Sequence, residues 1–159
     1  MHIIRPIQPA DNPFVAQIVL TIMADFDLDP LTTIAGDPGL HHMYENYQEE
    51  RAIYYVVAAG ERLLGGCGIR QLASGDEVTC ELQRMFILPE ARGKGIGKEL
   101  MHLCLERARE FGYKQVYIET LSEMHHARRL YEYFGFEEIA CRMGDTGHSG
   151  CDVKMLKKI

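Results

Sequence analysis

Between Arg5 and Arg51 the chain has no lysine or arginine, while the same stretch carries Asp11, Asp25, Asp27, Asp29, Asp37, Glu45, Glu49 and Glu50. Also missing is any apolar run near the ~20 residues that cross a bilayer. The opening Met-His-Ile-Ile-Arg-Pro lacks the charged and then apolar regions of a secretion signal, so a cytoplasmic protein with no membrane partner is expected. Five cysteines, Cys67, Cys80, Cys104, Cys141 and Cys151, contain no C-x-x-C pair, and their odd number fits reduced thiols. His41-His42 and His125-His126 are adjacent and therefore point in different directions, so neither pair suits a shared metal, and no metal is expected. Repeats, low-complexity tracts and linkers are absent. The 159 residues read as one domain, 1–159, with an ordinary globular composition of 47% hydrophobic and 25% charged residues.

The net charge of −6 is unevenly spread. From 92 to 129 the sign reverses, with Arg92, Lys94, Lys98, Arg107, Arg109, Lys114, Arg128 and Arg129 against five acids. An anionic ligand is favoured there, a cationic one nearer the N-terminal half, and nucleic acid is disfavoured. At the start of the basic stretch stands Arg92-Gly93-Lys94-Gly95-Ile96-Gly97, between the apolar run Met85-Phe86-Ile87-Leu88-Pro89 and a helical pattern. A glycine-rich strand-to-helix junction lets backbone N–H groups approach an anion closely and adds the positive end of a helix dipole. The spacing suits a diphosphate but fits neither of two common loops. A Walker loop needs G-x-x-x-x-G-K-[ST], whereas Gly93 and Gly97 are one residue too close and Glu99 follows Lys98. A dinucleotide fingerprint belongs in the first βα unit, with a third glycine where Lys98 stands.

Periodicity gives an α/β order. Residues 2–5 read as a strand, and Asp11 caps a helix to about residue 26 with Phe14, Ile18, Ile22 and Phe26 on its buried face. A second short helix follows at 41–50, and 53–59 with 63–72 form a hairpin whose second strand is weakened by Gly65, Gly66 and Gly68. A strand over 78–88 leads through the loop into a helix with Ile96, Leu100, Leu103, Cys104, Ala108 and Phe111 on one face, stopped by Gly112. Then come a strand at 115–121, a helix at 124–134 stopped by Gly135, and strands at 136–143 and 151–156 that pair.

The remaining pattern, R-x-x-G-x-G over Arg92, Gly95 and Gly97, resembles the coenzyme A pyrophosphate loop of the GNAT superfamily of N-acyltransferases. Ala127-Arg128-Arg129-Leu130-Tyr131-Glu132-Tyr133-Phe134-Gly135-Phe136 is similar to that superfamily's A-x-x-L-Y-x-x-x-G-F segment, and the element order agrees over essentially the whole chain. The resemblance implies the GNAT fold, a mixed central sheet of about seven strands with about four helices. It implies transfer of an acetyl group from acetyl-CoA to a primary amine by direct attack through a tetrahedral intermediate. Coenzyme contacts would come from Met85, Phe86 and Ile87, from Arg92, Gly93, Lys94, Gly95, Ile96, Gly97 and Lys98, and from Ala127. Where members often carry a coenzyme-binding asparagine this chain has Met124, leaving Ser122 or His125 as substitutes.

By the same resemblance Tyr131 is the general acid for the thiolate, and Tyr133 is structural. Glu81, eleven residues before Arg92, stands where histone-type members carry a catalytic base. Asp76 and Glu77 lie close in sequence, and an exposed ion pair of Glu81 with Arg84 or Arg70 is the simpler alternative. The two N-terminal helices and the 144–152 loop, with His148 and Cys151, would border the acceptor, although a polar glycine-rich hairpin loop is the simpler reading of 144–152, and direct transfer, the superfamily's usual route, disfavours Cys151 as an acyl carrier. A polyamine, an amino acid derivative, an aminoglycoside-like compound or a peptide amine all suit the acidic N-terminal half. A non-catalytic coenzyme A sensor would need the loop but neither Tyr131 nor Glu81, and an exposed strand edge or the N-terminal helix would support a homodimer.

Overall fold

Two β-rich runs flank Gly60, whose φ of 61° supplies the left-handed turn conformation, and they fold into the hairpin of β2 (Ile53–Ala59) and β3 (Arg62–Gln71). The computed structural model describes residues 1–159 and adds β1 (Ile3–Pro6), β4 (Thr79–Ile87), β5 (Gln115–Thr120), β6 (Glu137–Ile139) and β7 (Val153–Lys158). The helices are α1 (Asn12–Met23), α2 (Met43–Asn46), α3 (Ile96–Glu110) and α4 (His125–Tyr133). All seven strands join one sheet in the order β1-β2-β3-β4-β5-β7-β6. Every neighbouring pair is antiparallel except β4 with β5.

That parallel pair positions the site. Its register runs only from Thr79 opposite Gln115 to Glu81 opposite Tyr117, after which β4 continues to Ile87 and β5 to Thr120 without pairing to each other. The sheet therefore splays open just past Glu81. On one face α3 and α4 bury Leu100, Cys104, Ala108 and Tyr131 against Cys67, Ile69, Cys80 and Leu82. On the other, α1 and α2 bury Val19, Ile22 and Met43 against Tyr54, Val56 and Phe86.

Within β4 the pairing with β3 slips between Gly66 and Gly68, and Arg84 adopts φ of 55°. This bulge reverses the in-out alternation of the strand. Cys80 and Leu82 precede it on the α3 face, but Met85 follows it there, and Phe86 falls on the α1 face. The bulge is held from β2: Tyr54 donates its hydroxyl to the Arg84 carbonyl at 2.9 Å. A Cβ at Gly66 or Gly68 would stand 2.6 Å from the Tyr54 ring, so these glycines pave the ring's path across β3 rather than weaken the strand.

Several boundaries differ from the periodic reading. α1 ends at Met23, and its buried stripe is Val15, Ala16, Ile18, Val19, Ile22 and Met23, leaving Phe14 55% exposed and Phe26 half-buried. A spacing of four alone traces too narrow and too rotated a line, because a core-facing helix alternates steps of three and four. Asp11 precedes α1 but makes no cap bond to it; its carboxylate binds Arg5 at 2.7 and 2.9 Å and the Gln8 N–H at 2.7 Å. The 41–50 helix shrinks to the four residues of α2, preceded by 3-10 turns in which Asp29 and Asp37 accept from the Leu31 and Gly39 N–H groups. In α3, Met101 and Leu105 are buried, whereas Leu103 and Phe111 are only half so. The strand expected over 136–143 stops at Ile139, because Met143 N–H binds the Tyr117 hydroxyl at 3.2 Å and Arg142 turns to Glu119 at 2.9 Å.

Candidate active site

Gly93 and Gly95 have φ of 74° and 82°, with Gly95 at the N-cap of α3. Nothing lies within 4 Å of where a Cβ would stand at either, so backbone faces open space in front of the helix N-terminus, where the first N–H groups lack intrahelical acceptors. Gly97 differs, since its Cβ would meet Leu130 at 3.1 Å; it lets α4 approach α3. Arg92 turns its Nε to the Ile87 carbonyl at 2.9 Å, and the Lys98 ammonium sits 3.9 Å over the Tyr133 ring. Tyr133, 66% exposed, supports Lys98 from outside the core.

The loop forms one wall of a cleft of about 730 Å³. Met85, Phe86 and Ile87 of β4 line it, as do Arg92, Gly93, Gly95, Ile96, Gly97 and Lys98, with Met124 and Ala127 opposite; Lys94 lies outside the lining. His125, suggested as a stand-in for the missing asparagine, lines the cleft, and Ser122 does not. His126 and Arg129 also line it, and neither was marked as a site residue; the basic excess from 92 to 129 was the only signal for Arg129, and His126 had been weighed only as half of an unsuitable metal pair. Cleft and loop together suit a long anionic ligand whose diphosphate meets backbone N–H groups while its remaining length follows β4.

Met85, Phe86 and Met124 also line a smaller cavity of about 70 Å³ at the splay, which holds Glu81 and Tyr131. These two side chains come from opposite faces of the sheet and both line the cavity where β4 and β5 part. Glu81 is 5% exposed and makes no ion pair: Arg84 binds Asp37 at 2.9 Å and Arg70 binds Glu49 at 3.3 Å. Burial raises its pKa from 4.5 to about 7, against the lowering effect of a 2.6 Å hydrogen bond from Gln83 Nε2; the Glu119 charge adds to the rise. Tyr131 is 4% exposed and burial pushes its phenol well above the ordinary value, so it stays protonated. Asp76 and Glu77 are exposed and outside the cavity.

His148 and Cys151 both line the cavity, together with Met23, Thr33 and Ile34 from the N-terminal segment. Burial pushes the Cys151 thiol up to about 12, which leaves too little thiolate at neutral pH for an acyl carrier. His148 Nε2 lies 3.1 Å from Asp37, and Gly150 N–H donates to the Thr32 carbonyl at 2.8 Å, so the C-terminal loop is tied to the N-terminal one over the cavity. Of the eight acids between Arg5 and Arg51 only Asp37 reaches this region, already paired with Arg84 and His148. The sequence reading missed Glu119, whose carboxylate is 2% exposed and held by Arg142 and the Tyr117 and Thr146 hydroxyls.

The splayed mixed sheet thus sets a glycine-loop cleft beside a cavity that holds a carboxylate and a phenol. The sequence pattern of the Acetyltransferase (GNAT) family matches residues 20–136, and the chain belongs to that family. It is 38% identical over 159 residues to the uncharacterized N-acetyltransferase YjgM of Escherichia coli (strain K12), covering 99% of this chain and 95% of the relative. A GNAT-family acetyltransferase from Staphylococcus aureus Mu50 superposes with a TM-score of 0.82 at 18% identity, with 99% of each chain covered. YncA from Salmonella typhimurium, solved with its cofactor acetyl-CoA, has a TM-score of 0.74 at 20% identity, with 99% of this chain and 93% of that one covered. The two structural likenesses establish the fold. No helix is long and apolar enough to cross a membrane.

Proposed function

We propose that the protein transfers the acetyl group of acetyl-CoA to a primary amine by direct attack, with Glu81 as base and Tyr131 as acid. One observation carries this: the 730 Å³ cleft and the 70 Å³ cavity share Met85, Phe86 and Met124, so a donor in the first and an acceptor in the second meet beside both side chains. The loop 92–97 and the first turn of α3 hold the diphosphate, and the thioester of acetyl-CoA supplies the activated acyl carbon. Lys94 is kept as a coenzyme contact from the open side of the loop, where its charge adds to the anionic attraction.

Glu81, with a pKa of about 7, is ionised in a useful fraction of molecules at neutral pH and takes the proton from the acceptor ammonium, directly or through water. The amine lone pair forms the C–N bond, and as the tetrahedral intermediate collapses the C–S bond breaks toward sulfur. Tyr131 gives its phenolic proton to the departing thiolate, and the proton that the nitrogen sheds as the amide forms restores the phenol. Beyond Glu81 the edge of β4 that faces β5 has no ladder partner, so backbone N–H on that edge is placed to serve the developing oxyanion. The amine-bearing end of the acceptor is compact, as a cavity of about 70 Å³ requires, and its cation is received by Glu81 rather than by the wider acidic surface.

Acetyl-CoA turnover against polyamines, amino acid derivatives, aminoglycoside-like compounds and peptides with a free N-terminus or lysine tests the proposal. Coenzyme A release matched by acetylation of at least one amine is the expected result. Failure of every amine to accept the acetyl group would overturn it.

A further inference from the structure

Glu81 receives a single side-chain hydrogen bond, from Gln83 Nε2 to Oε2 at 2.6 Å, and Gln83 is itself fixed at its other end by the Tyr47 hydroxyl, 2.7 Å from Oε1. We infer that Tyr47 and Gln83 form a positioning relay that holds Glu81 as an ionised carboxylate with Oε1 left free for the acceptor proton. This rests on Glu81 being the base.

The argument is one of donor and acceptor capacity. An ionised carboxylate only accepts, and an amide has one donating and one accepting end. With Glu81 ionised, Gln83 must present its NH2 group to Oε2 and its oxygen to Tyr47. Reversing the amide would set two acceptor oxygens 2.6 Å apart, an arrangement that requires Glu81 to carry a proton. Tyr47 opposes that reversal. Its phenol is 4% exposed and burial pushes its pKa well up, so it stays protonated, and its one hydrogen bond is the donation to Gln83 Oε1, which a reversed amide would leave without an acceptor. It lies just past α2 and is braced by the Tyr54 ring at a centroid distance of 5.2 Å. Gly68 makes room for it, since a Cβ there would stand 2.9 Å from the Tyr47 ring.

The other groups around Glu81 do not replace the relay. Glu119 on β5 is held by Arg142, Tyr117 and Thr146. Arg84 on β4 binds Asp37, and Arg70 on β3 binds Glu49. Tyr131 of α4, with His148 and Cys151 of the C-terminal loop, lines the cavity without a hydrogen bond to Glu81, and His148 is engaged by Asp37. Gln83 and Tyr47 act through Glu81 and are positioning residues.

The experiment is the pH profile of kcat/KM for the whole protein with its best amine acceptor, in wild type, Gln83→Met, Tyr47→Phe and Glu81→Gln. Loss of the charge-directed hydrogen bond in Gln83→Met moves the acidic limb up by about one pH unit, a roughly tenfold deficit on that limb that closes as the pH rises. Tyr47→Phe, which frees the amide to reverse, moves it the same way by less. A limb that stays at the wild-type position in Tyr47→Phe, or a deficit equal at every pH in Gln83→Met, overturns the relay. Should Gln83→Met fail to fold, Tyr47→Phe decides alone. If instead Glu81→Gln keeps the wild-type limb, it is the base assignment that fails.

Discussion

Tyr131 and Glu81 are nearly sealed from water, and burial favours the neutral form of each, with opposite chemical meanings. The neutral phenol is the acid the reaction uses, so burial of Tyr131 costs no function, whereas the neutral carboxyl is an occupied base and Glu81 must keep its pKa within reach of neutrality. Tyr131→Phe should lower kcat by about 100-fold or more while leaving the KM for acetyl-CoA nearly unchanged, as loss of a positioned general acid does. Steady-state kinetics at saturating acceptor would show it, and a full-rate variant would end the assignment of Tyr131 as acid. Both residues could be singled out in the sequence only through the family resemblance, Glu81 by its distance from Arg92 and Tyr131 by the segment ending at Gly135-Phe136, and the structure brings both to one cavity. Gln83, Asp37 and Glu119 were not. Their significance lies in partners 30 or more positions away or in burial, as with the Tyr47 to Gln83 bond across 36 residues, and no local pattern encodes either.

At the level of elements, the glycine loop and the helix behind it could be read directly, since the φ of 82° at Gly95 is the kind of conformation for which glycine is selected. Gly95→Trp places a bulky side chain in the open space before α3 and forces an L-residue into a left-handed conformation. Coenzyme A should raise the melting temperature of the wild-type protein and fail to raise that of the variant; equal protection in both would put the diphosphate elsewhere. The bulge in β4 was illegible for the opposite reason. Arg84 is no glycine, and its φ of 55° costs roughly 1–2 kcal/mol that nothing in the neighbouring sequence compensates. What holds it is Tyr54 reaching from β2 over two glycines of β3, and Asp37 gripping the guanidinium from the N-terminal segment. Gly65, Gly66 and Gly68 looked like weaknesses because a strand viewed alone gains nothing from glycine; only the neighbouring strand supplies the reason. Likewise, the 136–143 run alternates well enough for a strand but gives up its pairing beyond Ile139 to the polar contacts of Tyr117 and Glu119.

For the whole molecule, an unpaired carboxyl buried at the centre of the sheet couples catalysis to stability. Unfolded, Glu81 titrates at its ordinary 4.5, and folded at about 7, so the native state holds a proton that the unfolded chain has released across that interval. Stability contributed by this group is therefore full below pH 4.5 and declines as the pH rises toward 7. At 1.36 kcal/mol per pKa unit the loss above pH 7 is on the order of 3 kcal/mol, a large fraction of the margin of an ordinary domain. Asp37 behaves conversely. Burial pushes its pKa up, but the Gly39 N–H, His148 and Arg84 together bring it below the ordinary carboxylate value, so the stability it contributes is present above pH 3.8 and lost as the pH falls through its folded pKa. Between them these groups make the native state most secure on the acidic side of neutrality, below the pH at which an amine acceptor and Glu81 are both best prepared to react. Glu81→Gln removes the buried charge while retaining an oxygen to accept from Gln83. Its melting temperature should exceed wild type by roughly 5 to 10 °C at pH 8 and by little at pH 5, as its turnover collapses. Calorimetry at the two pH values measures this directly, and an equal difference at both would mean that Glu81 carries no raised pKa in the folded protein.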